Sequence, residues 1–521
     1  MDELKEELGK YRCEESRINN LNELYVDCSQ SNIEPIAVLL KNQYKLKFIA
    51  EFCMDTGKED KFKISIVFTN SKESYFVILT YTTVDILVSM QNTFSQAHLF
   101  EREISDLFGL SIDGGSDVRH SVKHEIWDAK AFPLRKGFPY KGKIKENHEI
   151  PNYEFKRIVG NDAFQIPVGP IHAGIIEPGH FRFSVIGEDI ENLEIRLNYK
   201  HRGIEKIAEN IDANKLNLLF ERVACESTLA YGEAYALLIE KMLNFKVSRE
   251  IQSLRVALLE LERLYNFLQD VSGICVDVGF SYPAKKLSYI AEIIKQLIER
   301  VTGSRYARNS IVPMGSNIDF SQENKRNILD TLGGIRNRIK LIADVTLESF
   351  TFLDRVENTG IVKNNIAKKL MMTGVVGRAS GVDYDVRKSF PYEIYGDIKK
   401  TNNIEHIGGV FERYKLKIAE IDDAFKFIEM ALSNIDNEIK KNRPIIELEK
   451  GMEAISIVET AKGELMVYGK MGENNKFDRI YFKTPSFTNW KGLTIAVLDE
   501  IVPDFPLCNK SFNMSYSEND R

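Results

Sequence analysis

The period of the apolar residues changes along this chain, and that change restricts its possible folds more than any other feature. Near the N-terminus, Phe62-Lys-Ile-Ser-Ile-Val-Phe68 and Tyr75-Phe-Val-Ile-Leu-Thr-Tyr81 alternate or cluster as strands do, and the break from Asn70 to Ser74 reads as a turn. These runs belong to a small α/β unit over about 34–110, which includes a helix at Ala97-His-Leu-Phe-Glu-Arg-Glu-Ile-Ser-Asp-Leu-Phe108, ended by Gly109. Over 205–305 the apolar spacing becomes three and four residues, as in Leu254-Arg-Val-Ala-Leu-Leu-Glu-Leu-Glu-Arg-Leu-Tyr-Asn-Phe-Leu268 and in 290–299. That spacing predicts bundle helices. Further helices are expected over 323–356 and 411–441, and strands at 464–468 and 478–482 within a β-rich segment, 454–482. The fold class is α+β: a small N-terminal α/β domain, then a domain dominated by a helix bundle with small β segments. The Gly/Lys/Pro-rich stretch 135–146 has linker composition and divides the chain into 1–145 and 146–521.

With 521 residues, 43% of them hydrophobic, the chain can bury more than one core. A net charge of -6 without basic blocks excludes nucleic acid as an expected partner. Apolar runs such as Ile36–Leu40 fall far short of the ~20 residues a bilayer helix needs. The acidic start, Met1-Asp-Glu-Leu-Lys-Glu-Glu7, is the reverse of a secretory signal and places the chain in the cytoplasm. Six cysteines, at 13, 28, 53, 225, 275 and 508, show neither disulfide nor cluster spacing, so an iron–sulfur cluster must come from a partner. Nor does a Gly-x-Gly-x-x-Gly open a helix after a strand, so any NAD is bound elsewhere in an assembly.

Two sets of motifs carry a family resemblance. Phe100-Glu-Arg-Glu-Ile-Ser-Asp-Leu-Phe-Gly109 and Phe132-Pro-Leu-Arg-Lys-Gly-Phe-Pro139 resemble the signature of the 30-kDa subunit of respiratory complex I. The charged residues of that helix, Glu101, Arg102, Glu103 and Asp106, are read either as a solvated face or as a docking face. Gly169-Pro-Ile-His-Ala-Gly-Ile-Ile-Glu-Pro-Gly-His-Phe-Arg-Phe183 and Tyr199-Lys-His-Arg-Gly-Ile-Glu-Lys206 resemble the complex I 49-kDa subunit and the large subunit of energy-converting nickel–iron hydrogenases. Gly374–Tyr392, Glu459–Glu464 and Phe505–Phe512 continue the likeness in the same order. The chain thus resembles a fusion of the 30-kDa-type and 49-kDa-type components of NADH-quinone oxidoreductase.

The resemblance implies a site and also its loss. The hydrogenases hold nickel and iron through two Cys-x-x-Cys pairs, whose positions fall here on Ala224 and Ser227, and on Ser515 and Glu518. A methyl, hydroxyls and a hard carboxylate do not replace soft thiolates, so no nickel–iron centre and no hydrogenase activity are expected. Glu177 matches the glutamate that carries protons to the metal; burial is expected to raise its pKa, and the alternative is an ion pair with Arg182 or Arg202. His172, His180 and His201 could extend a proton path, since imidazole titrates nearest neutrality. In complex I the same pocket takes a quinone, clamped by a tyrosine and a histidine. Those positions are Cys225 and Pro178 here, with His180 two residues on, so the usual clamp is absent; Tyr231 reads as core. Lys462 in Thr460-Ala-Lys-Gly463 stands where hydrogenases carry arginine and complex I carries lysine. With the sequence ending Asn519-Asp-Arg521, no tail of the kind hydrogenase maturation removes is expected.

The implied role is a peripheral subunit on the cytoplasmic side of a membrane-bound oxidoreductase. Electrons would arrive from an iron–sulfur small subunit facing His201-Arg202-Gly203 and pass to quinone or another acceptor near Cys225, Glu177 and the C-terminal loop. The transfer would drive ion translocation through antiporter-like and quinone-chamber-type membrane subunits. The alternative is a non-catalytic coupling subunit with a closed pocket.

Overall fold

The computed structural model describes residues 2–521 except 10, 12, 14, 20, 21, 59, 73, 142–149, 159–161, 175 and 398–402. The end of the expected linker and the boundary at 145 therefore lie outside the described residues. The N-terminal unit is a five-stranded sheet in the order Glu15–Asn19, Glu23–Asp27, Tyr75–Thr83, Phe62–Asn70, Lys47–Asp55. The last three strands pair antiparallel, as the two strand-like runs predict, and Glu23–Asp27 joins Tyr75–Thr83 in parallel. The sheet thus begins upstream of the sequence-based start at 34, with strands too short and polar to show a period. Helix Ala97–Phe108 ends as expected at Gly109, whose φ of 75° is left-handed. A Cβ there would sit 2.6 Å from the Phe132 ring, so both conformation and space require glycine.

The larger unit is centred on the helix Arg249–Asp277, which packs against Ser281–Thr302 and Val410–Ser433. The expected helix over 323–356 is two, Gln322–Leu347 and Phe350–Val356, because Ser349 leaves the helical conformation and caps the second through Phe352 N–H. The helix expected to 441 stops at Ser433; Ile439 and Asn442 instead form bridges to Phe320 and Ser316. Two antiparallel three-stranded sheets flank the bundle. One comprises Ala163–Val168, His180–Ile186 and Asp189–Arg196; the other comprises Glu453–Thr460, Gly463–Met471 and Phe477–Lys483. The second meets the N-terminal sheet, where Phe52 stacks on Tyr481 at 4.7 Å and Arg479 Nε donates to the Cys53 carbonyl at 2.9 Å.

The charged residues of helix Ala97–Phe108 are not a solvated face. Glu101, Glu103 and Asp106 are buried, and their bonds are made within the chain. Glu101 accepts from Met90 N–H at 2.6 Å and from Ser89 Oγ at 2.9 Å. Asp106 takes the backbone N–H groups of Ser121, Val122 and Lys123. Glu103 pairs with Arg521, which also reaches Glu205 at 3.1 Å. The helix docks onto the C-terminal segment of its own chain.

Candidate functional site

Five segments converge on residues 513–521: the loop 169–180, the loop 198–203, the turn at 221–228, the hairpin at 460–463 and the helix Pro485–Ala496. Ser515 caps the last short helix, Tyr516–Asp520, by accepting from Glu518 N–H. The 169–180 loop closes on itself through Gly179 N–H to the Pro170 carbonyl at 3.1 Å. It lies so close to the last helix that a Cβ on Gly179 would sit 2.6 Å from Tyr516. Buried Glu262 accepts Leu229 and Ala230 N–H at 2.7 and 3.1 Å, which fixes the turn that enters helix Thr228–Met242; burial pushes its pKa up to about 8.

Each of the following groups bonds the C-terminal segment. Glu177 Oε2 accepts Ser517 N–H at 3.0 Å, while Oε1 takes the Lys200 ammonium. Arg202 donates to the carbonyls of Arg222, Val223 and Ser517 at 2.7–2.8 Å, tying the first ligand-position turn to the last helix. His201 Nδ1–H donates to the Asp520 carbonyl at 2.7 Å, and the Asp520 carboxylate accepts Asn198 and Lys200 N–H. Lys462 Nζ donates to the Asn513 carbonyl at 2.8 Å and stands 3.9 Å from Glu226.

Two expectations for Glu177 are corrected. Its partner is Lys200, because the Arg202 fork is taken by three carbonyls and Arg182 turns to His180 and Gln165. Its pKa is lowered, not raised: burial pushes it up, but the Lys200 ammonium and the Ser517 N–H outweigh that and hold the carboxylate ionised. His172 and His180 do not reach the C-terminal segment through any hydrogen bond between described residues. His172 Nε2 donates to the Gly179 carbonyl at 2.7 Å; His180 Nδ1 donates to Gly169 at 3.1 Å and its Nε2 accepts from Arg182 Nε at 3.2 Å. Burial, aided by neighbouring arginines, lowers the pKa of His180 and His201, so both are neutral near pH 7. Cys225 is exposed at the mouth of the site, beside Glu226 and Arg308.

The four positions that the resemblance assigns to thiolate ligands are buried, although Cys225 beside Ala224 is exposed. Ala224 and Glu518 have no exposed surface, Ser227 has 1% and Ser515 6%. The donor set does not fit a nickel–iron centre, since it offers one methyl, two hydroxyls and one carboxyl. Tyr231, read from sequence as core, has its ring buried but points its hydroxyl into the site and donates to Glu518 Oε1 at 3.2 Å. Ser486 Oγ and N–H both donate to Glu518 Oε2. Sequence reading missed Ser486 and the closed state of Glu518. The motif gives the position of Glu518, but its hydroxyl partners come from segments 32 and 287 residues away.

Two family models match the chain: the 30-kDa subunit of respiratory-chain NADH dehydrogenase over 26–144 and the 49-kDa subunit over 277–454 and 446–521. Hydrogenase-4 component G of Escherichia coli is 30% identical over 429 residues, covering 81% of this chain and 73% of that protein. The C/D subunit of NADH-quinone oxidoreductase from Phocaeicola vulgatus is 28% identical over 444 residues, with 80% and 83% coverage. The fold is also that of a chain in the solved structure of the membrane-bound sulfane sulfur reductase, an archaeal respiratory membrane complex. That chain has a TM-score of 0.65 at 23% identity, with 70% of this chain and 100% of that one covered. The fused pair of domains, the motifs in order and the sequence identity agree: the chain is homologous to Hydrogenase-4 component G, and it belongs to the family of fused 30-kDa/49-kDa subunits that includes the C/D subunit of NADH-quinone oxidoreductase.

Proposed function

We propose that this chain is a peripheral subunit of a membrane-bound, complex-I-like oxidoreductase that couples electron transfer from an iron–sulfur partner to ion translocation, without a metal centre of its own. One observation carries the reading: the C-terminal segment that closes a metal site in the hydrogenases closes here on two carboxyls, Glu177 and Glu518, with no thiolate between them. Charge compensation at such a site comes from protons. Among the described residues no helix is long and apolar enough to cross a membrane, so attachment requires other subunits. Gly203 has open space where a Cβ would be, which suits close approach of a partner's surface beside His201 and Arg202. A quinone-type acceptor would meet exposed Cys225 and the Glu226–Lys462 pair at the mouth.

A second reading is favoured by the burial of Glu518 and Ser227: a closed pocket whose role is conformational or proton coupling alone. Affinity isolation of the tagged chain from native membranes separates the two. The first reading expects co-purified iron–sulfur and membrane subunits, with the reduced cluster reoxidised by a short-chain quinone. Co-purification without reoxidation supports the closed pocket, and recovery of a lone monomer contradicts both.

A further inference from the structure

We infer that a cavity between the N-terminal unit and the larger unit binds a small multivalent oxyanion, with Lys491 as its central cation and Asn192 and Arg196 as neighbouring donors. The cavity has a volume of about 450 Å³, and Glu177, Cys225, Lys462 and Glu518 do not line it. Three elements form most of its wall. Helix Ala97–Phe108 contributes His98 and Arg102, one turn apart on one face. Helix Pro485–Ala496 contributes Lys491 and Thr494, again on one face, and strand Asp189–Arg196 contributes the alternate positions Asn192, Glu194 and Arg196. A ligand here therefore touches both units of the chain at once.

The charges of the wall are unevenly satisfied. Arg119 takes Asp117 at 2.8 Å and Glu194 at 3.2 Å. Arg102 donates to the carbonyls of Arg119 and His120 at 2.6 and 3.0 Å and stands 3.5 Å from the same Asp117. Arg196 Nη1 pairs with Glu125 at 2.6 Å, and Glu191, the remaining carboxylate of the wall, is exposed. Lys491 is left over. It is only partly exposed, and its ammonium makes no hydrogen bond or ion pair among the described residues. Burial, then Lys156 and Arg102, push its pKa below the usual lysine value against the pull of Glu194 and Asp117. Lys491 in turn helps burial to lower the pKa of His98, whose Nδ1–H donates to the Ser95 carbonyl at 2.6 Å. Among the described residues of the wall, the only buried side-chain polar atoms without a partner are Asn192 Nδ2 and Arg196 Nε, and both are donors. Every unmet group thus lacks the same thing, an acceptor with negative charge. A buried donor left without an acceptor, and an ammonium held among cations, both cost free energy. An oxyanion relieves both, whereas a metal cation or an apolar molecule relieves neither. The volume suits an anion between a phosphate and a small phosphorylated or polycarboxylate metabolite.

The test is amide hydrogen exchange, read by mass spectrometry on the full chain in its native assembly, during titration with pyrophosphate, citrate or, at matched ionic strength, chloride. This readout does not depend on electron transfer. The expected result is saturable protection by pyrophosphate or citrate of both Ala97–Phe108 and Pro485–Ala496, the elements that face each other across the cavity; which of the two protects at lower concentration tells a phosphate source from a carboxylate one. Lys491→Met should weaken that midpoint at least about tenfold, the scale of a lost charge-assisted hydrogen bond. Lys491→Arg should retain saturable protection, which guards against a Met variant that is simply misfolded. Lys156→Gln, at an exposed position, should weaken the midpoint by about threefold, the scale of one solvent-screened charge. Equal protection by chloride, no protection by either polyanion, or an unchanged midpoint in Lys491→Met would overturn the proposal.

Discussion

Replacing Glu177 by glutamine removes titration and charge but keeps the side chain's shape, and the structure fixes what that should cost. The Glu177–Lys200 pair is 29% and 41% exposed, so solvent screens it and its loss costs about 1 kcal/mol or less. The bond from Ser517 N–H survives, because the amide carbonyl of glutamine accepts as a carboxylate does. Had the partner been a buried arginine, a stranded charge would cost about 3–5 kcal/mol. Thermal unfolding of the assembled complex should therefore shift by about 3 °C at most, while ion-coupled turnover falls by about 100-fold or more, the scale of a lost acid–base group. The sign of the pH effect follows from the lowered pKa. The stabilisation from Glu177 is present above the unfolded value of about 4.3 and is lost as pH falls through the folded value, so wild type and Glu177→Gln converge in stability in acid. Wild-type turnover and coupling in a normally assembled Glu177→Gln complex would refute the proton role. A collapse of assembly together with activity would refute the energetic argument.

The purified chain should contain no stoichiometric nickel by elemental analysis and should neither evolve nor take up hydrogen; about one nickel per chain would contradict the donor-set argument. Glu518, with its pKa raised to about 7, stabilises the fold fully below about pH 4.3 and progressively less as pH rises through 7. The stability of Glu518→Gln, followed by chemical denaturation across that interval, should accordingly fall less steeply with pH than that of wild type. Gly109→Ala forces a left-handed alanine against the Phe132 ring and should destabilise the N-terminal unit by about 2 kcal/mol or more, visible as earlier proteolysis of that unit. Glu103→Leu strands one of the two carboxylate contacts of buried Arg521 and should loosen the C-terminal helix, with faster amide exchange over 513–521 as the readout.

The runs and helical spacing of apolar residues locate the strands 62–70 and 75–83 and the bundle helices correctly, although the structure buries these strands on both faces and the helix Arg249–Asp277 nearly all round. It does not show that the same helices bury charge. Arg255 sits inside Arg249–Asp277, bonded to Glu240 at 2.6 Å and Glu393 at 2.8 Å, and Arg263 reaches Glu420 at 2.7 Å. Each is legible as an interior residue only once its partner, up to 157 residues away, is in place. The same limit governs helix Ala97–Phe108, whose acidic residues look solvated until Arg521 and the 120–123 turn pack against them. At the candidate site the motifs place Glu177, Lys462 and the four substituted ligand positions, since those lie in long unambiguous strings. Lys200, Tyr231 and Ser486 are not recoverable from sequence, because what singles them out is the direction of one polar atom.

In the hydrogenases, a metal bridging two thiolate pairs ties the first turn to the C-terminal segment. This chain has neither pair and still holds the segment, through bonds distributed over Glu177, His201, Arg202, Lys462 and Asp520. At about 1 kcal/mol net each, more where a charged group takes part, those bonds are enough to order the segment 513–521 without a metal. The arrangement couples two events: any movement of Ser517 alters the environment of Glu177 through its N–H and the hold of Arg202 through its carbonyl. A protonation change at Glu177 therefore has a mechanical route to the 198–203 loop, the face that the proposed function offers to an iron–sulfur partner.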